Sequence, residues 1–115
     1  MAGMANLVIT DDTLTVQMSL AEKAEVLHRD LTVPRSAVTG VRVVADGLAE
    51  VHGLKMPGTG LPGVIMVGTW ISSEGRTFAA CHGSGRAIVI DLAGQNVDRI
   101  VMTVANPEEA ATELP

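Results

Sequence analysis

Four β-type runs crowd into the second half of the chain, with breaks between them too short to hold a helix. The runs are residues 64–71, 76–81, 87–92 and 99–104, and the breaks are 72–75, 82–85 and 93–96. Each break contains glycine, which supplies the positive φ that a tight reversal wants. Strands joined so briefly are expected to pair as antiparallel neighbours, because a parallel crossover takes about a dozen residues or more. The expectation is a mainly β domain assembled from hairpins.

The first half carries the same signals less densely. Leu14, Val16 and Met18 alternate with polar residues, which marks a half-buried strand. Asp11 and Asp12 form a turn before it, and residues 7–10 supply the hairpin partner. Ser19 with Glu22 three residues on makes a capping box, so a short helix is expected near 20–27, with Leu20, Ala24 and Leu27 on one face. Residues 30–33 read as extended because they lead into Pro34. Residues 38–44 alternate again, and 50–63 read as a Gly- and Pro-rich loop. The chain closes on a helix: Asn106 at the N-cap, Pro107 in the first position, and Glu108 and Glu109 where the helix dipole favours acid.

At 115 residues, this is one domain spanning 1–115. No apolar run reaches the ~18 residues that span a bilayer, no leader pattern opens the chain, and the single cysteine has no internal partner. A cytoplasmic protein is expected. The net charge of −5 disfavours nucleic acid and anionic lipid, both of which need clustered Lys and Arg. Only two of the eight basic residues are lysine, and Ala, Val and Gly abound, a composition that suits a GC-rich bacterial genome. Although 47% of residues are apolar, Trp70 and Phe78 are the only aromatics, so the core must be aliphatic and aromatic ligand platforms are scarce. Trp70 lies in the most apolar run and is expected to be buried or at an interface.

The order and spacing of several segments resemble a known family. These are VPRSAVTGVRVV from Val33, KMPGTGLPG running into VIMVGTW, GRTF at Gly75, AIVIDL from Ala87, and NPEEAA from Asn106. Together they are similar to the bacterial pleckstrin-homology-like (PH-like) domains over about the last two-thirds of the chain. The resemblance implies a PH-like barrel of two packed antiparallel sheets, about seven strands in all, closed by a C-terminal capping helix. Many family members belong to membrane proteins, and eukaryotic relatives bind phosphoinositides through basic residues in their first hairpin. Here that hairpin carries Asp11 and Asp12 instead.

Several motifs invite chemistry and fail on context. Gly58, Gly60 and Gly63 match the dinucleotide-binding spacing G-x-G-x-x-G, but that motif must open a helix, and here Pro62 and a β-branched run follow. Cys81 and His82 are adjacent on a strand and point to opposite faces, while His28 and His52 show no ligand spacing with them, so no metal site is expected. Ser84, His82 and Asp91 make a paper triad without a nucleophile elbow. Cys81 reads as a core filler. Arg35 and Arg86 are candidate contacts to an anion or a partner through their donor forks. Met56 and Met66 flank the glycine loop, where exposed methionine would make an adaptable binding surface.

The expected function is a non-enzymatic protein-interaction or self-association module, with no cofactor and no metal. Its partner would be a second copy, giving a homo-oligomer, or another protein. The alternatives are a membrane-proximal or lipid-head-group-binding adaptor, and a small ligand carrier or enzyme with its own pocket. A basic surface patch would favour the first alternative, and a deep polar cavity with a perturbed titratable group the second. Self-association is expected to run through residues 64–67 or 87–90, which lack charged gatekeepers, provided that one of them lies at a sheet edge.

Overall fold

Two strands, Ala87–Leu92 and Arg99–Thr103, are buried on both faces, which places them in the middle of a sheet. In the computed structural model they are β9 and β10 of a mainly β protein. The strands before them are β1 (Asn6–Ile9), β2 (Thr13–Gln17), β3 (Leu31–Pro34), β4 (Val38–Val44), β5 (Leu54–Lys55), β6 (Thr59–Leu61), β7 (Ile65–Ser72) and β8 (Gly75–His82). One helix, α1 (Pro107–Thr112), ends the chain. The structure describes residues 6–17, 31–51, 53–55, 59–61, 65–73, 75–82, 85–104 and 106–114, with backbone alone for 6, 55, 59–61, 65–67 and 82. The helix expected near 20–27 lies outside the described residues.

The strands form two sheets. The smaller has the order β1-β2-β3 and the larger β4-β9-β10-β8-β7-β5, with β6 also on β7. Five strands of the larger sheet are long, while β5 and β6 have 2 and 3 residues. Those two lie within the stretch read as loop. Segments so short show no alternation, and backbone pairing with β7 is what makes them strands.

One pairing differs from expectation. β8 and β9 are not neighbours: β10 lies between them, antiparallel to β9 and parallel to β8. The sheets are therefore not wholly antiparallel, and no closed barrel forms among the described residues. The physical reason is burial. Ile100, Val101 and Met102 are all 0% exposed, and only a central slot shields both faces of a strand. The crossover from β8 to β10 is β9 with its flanking turns, long enough for a parallel link.

Alternation sorts the side chains of the large sheet onto two faces. On the inner face Phe78, Ala80, Ile88, Ile90, Leu92, Ile100 and Met102 meet Leu14, Val16 and Val33 of the small sheet, with Leu114 beyond α1 completing the cluster. On the outer face Trp70, Ala79, Cys81, Ala87, Val89 and Val101 gather with Val51, against Val44 and Leu48. Trp70 is buried, as its apolar run implies. The chain after β4 folds back over this second cluster. Gly47 makes that possible: a Cβ there would sit 2.6 Å from the Ala87 Cβ, and its N–H bonds the Gly85 carbonyl at 2.9 Å.

The first hairpin and the final helix match their sequence signals. β1 and β2 pair antiparallel, and Thr10 closes the turn by accepting the Thr13 N–H at 2.9 Å on its hydroxyl. At α1 the Asn106 carbonyl accepts from Ala110, although the Asn106 side chain makes no capping bond. α1 packs against β4 and β9.

Cys81 titrates in a way that can be measured. Burial pushes its thiol up to about 12 from the ordinary value of 9.0. In the unfolded chain the thiol loses its proton near 9.0, while the folded one keeps it until about 12. Between those values the unfolded state binds fewer protons, so stability falls as pH rises, by at most about 1.4 kcal/mol per pH unit. Thermal melts from pH 8 to pH 11 are expected to show a steeper decline for wild type than for Cys81→Ala. Parallel declines would contradict the assignment.

Candidate functional site

Polar side chains on the outer face collect at one end of the large sheet. Arg99 lies opposite Asp91 on β9 and opposite Thr77 on β8. Its Nε donates to Asp91 Oδ1 at 2.9 Å, a half-buried cross-strand ion pair. Asp98, just before β10, latches the neighbouring turn. Its Oδ2 accepts the Arg76 N–H at 2.9 Å, its own N–H bonds the Arg76 carbonyl at 2.8 Å, and its carbonyl accepts from Leu92 at 2.9 Å. Arg76, Thr77, Asp91, Leu92, Asp98 and Arg99 line a hollow of about 230 Å³. Asp91 and Asp98 are already committed there, one to a guanidinium and one to a backbone amide.

The remaining arginines are spread apart. Arg35 donates to the Thr10 carbonyl at 3.2 Å and to the Glu113 carbonyl, so it ties the first hairpin to the end of α1. Arg86 pairs with Glu108 on α1, both well exposed. Arg42 projects from the outer face of β4 and meets Glu50 at 3.0 Å. Each of these cations faces a carbonyl or a carboxylate, and they form no shared patch. Met56 lies outside the described residues, and Met66 is described by its backbone in β7, opposite Cys81.

The paper triad does not assemble. Asp91 lies level with Thr77 on the outer face, whereas the backbone of His82 is five positions further along β8, on the order of 15 Å away. Ser84 lies outside the described residues, as do His28 and His52. Thr59–Leu61 of the glycine-rich stretch form β6, and a strand rather than a helix follows. Among the described residues no three of His, Cys, Asp and Glu gather as metal ligands, and no helix is long and apolar enough to cross a membrane.

The edges of the large sheet are not where the sequence suggested. Residues 87–90 lie in β9, flanked by β4 and β10. Residues 65–67 lie between β8 and β6, and residue 64 is outside the described residues. Both are interior, so the ground for self-association through them is gone. The long edge is β4, which has 7 residues. It pairs with β9 on one side, and among the described residues nothing pairs with the other. The sequence signal for that edge is Arg42 within a valine-rich run, and the structure adds a register irregularity between Val38 and Gly40. A charge and a bulge in a valine-rich strand are devices that exposed edges use.

In comparisons with protein-family models, curated proteins and solved structures, nothing matches this chain.

Proposed function

We propose that this chain is a non-enzymatic protein-interaction module that works by strand pairing at β4. The observation that carries the reading is the edge of a 7-residue strand that nothing pairs among the described residues, beside a β9 that is buried at every position but Asp91. Such an edge offers a row of backbone donors and acceptors to an added strand. Two packed sheets and a terminal helix support the PH-like reading, and the parallel β8–β10 pair departs from what that family implies. The free, buried thiol of Cys81 suits a cytoplasmic setting. Arg35, Arg42, Arg86 and Arg99 each have a local partner and form no common patch among the described residues, which gives the lipid-binding alternative no support.

The test is site-specific photocrosslinking in cells. A photoreactive residue replaces Thr39, which is exposed on β4, and a control replaces Thr112, exposed on α1. The expected result is a discrete adduct from position 39 and none from position 112. Equal, diffuse labelling at both sites would overturn the reading.

A further inference from the structure

We infer that the partner of β4 is a second copy of this chain, paired antiparallel about a two-fold axis at Val41. The inference rests on the interaction reading above and names the occupant of that edge.

Residues directly opposite in an antiparallel ladder share a face, so only registers that match like faces are allowed. The regular run of β4 is 40–44, which pairs with Asp91 through Ala87 of β9 beyond the irregularity. Three two-fold registers engage it, centred on Val41, Arg42 or Val43. Centring on Arg42 sets two guanidinium groups directly opposite, which repels. Centring on Val43 sets Arg42 opposite Val44, whose β9 neighbour is Ala87, with no anion in the row.

Centring on Val41 sets Arg42 opposite Gly40 of the second copy, and the β9 neighbour of Gly40 is Asp91. Gly40 leaves the row bare, since even a Cβ there would lie 3.5 Å from Asp91 Oδ2. Asp91 accepts from Arg99 on Oδ1 and turns Oδ2 toward Gly40, so Oδ2 is the oxygen offered to Arg42 of the second copy, two strand spacings away, about 10 Å between Cα atoms. Together an arginine and an aspartate side chain close that span. Arg42 is well exposed and its fork of donors has room for a second acceptor beside Glu50. The symmetry makes the contact twice. On the other face Val41 meets Val41. The pairing ends at two copies because it consumes both β4 edges, while the far side of β7 carries β5 and β6.

The irregularity at 38–40 shortens the shared ladder, so the dimer is weak, assembling between about 10 µM and 1 mM. Sedimentation equilibrium of the full chain across that range is expected to move from the monomer mass to twice it, with less dimer at high salt. Arg42→Glu, which faces a carboxylate, and Gly40→Val, which fills the bare row, are each expected to weaken association at least about tenfold. Trp70 emission confirms that each variant is folded. Val41→Cys is expected to form an intermolecular disulfide on mild oxidation, and Val43→Cys is not.

A monomer throughout the range would overturn the inference, as would a dimer indifferent to both substitutions, or a trap at position 43 in place of 41. A monomer whose position-39 adduct contains a different protein would remove the second copy and leave the interaction reading standing. Equal, diffuse labelling at 39 and 112 would remove both.

Discussion

Phe78→Ala is expected to destabilise the protein by about 3–5 kcal/mol. Phe78 is 0% exposed and lies on the inner face of β8, between Ile100 of β10 and Thr69 of β7. It is the one aromatic in a cluster otherwise made of aliphatic side chains and a methionine. A packed core relaxes only partly into the space, so the loss combines transfer free energy with a cavity. Against a total stability of about 5–15 kcal/mol, that is a large share. Urea melts followed by Trp70, which sits in the other cluster, are the measurement. The midpoint should drop with little change in slope. A loss below about 1 kcal/mol would show that the two sheets do not meet over Phe78.

Gly75→Ala should come next, at about 2–5 kcal/mol. Gly75 holds φ at 117°, a conformation that L side chains rarely adopt. A Cβ there would stand 2.3 Å from Asp98 Oδ2, the oxygen that accepts the Arg76 N–H. Alanine therefore imposes backbone strain and pushes away the carboxylate that latches β8 to the turn before β10. Asp98→Ala removes the latch by itself. The double variant should then lose less than the two single losses added, because the clash no longer has a target. Strict additivity would mean that Gly75 and Asp98 do not touch.

Much of the fold is legible in local chemistry. Glycine-bearing breaks and β-branched runs mark β7 to β10 within a residue or two, and Asn106 with Pro107 marks the start of α1. The order of the strands is not legible. Residues 83–86 are short enough for a hairpin, and nothing local reveals that β10 enters between β8 and β9. That choice is made by burial of Ile100 and Met102 on one face and Val101 on the other. Whether either ungated run lies at an edge is not legible for the same reason. An apolar run without charges reads as an unguarded edge or as a doubly covered centre, and strand order alone decides between them. Arg35 illustrates the limit for side chains. Its donor fork is legible, but its acceptors are carbonyls 25 and 78 residues away in sequence.

The position of β10 also governs when this protein can exist during synthesis. β8 and β9 flank a vacant lane, about 10 Å across, until Arg99–Thr103 arrives to fill it. Every strand from β1 to β10 must therefore leave the ribosome before the large sheet has a middle. Until then the buried sides of Phe78, Ile88 and Ile90 have no Ile100 or Met102 to meet. The large sheet cannot be completed strand by strand in chain order. The nascent chain must wait for one late strand before β8 and β9 belong to one sheet, because β10 is what joins them.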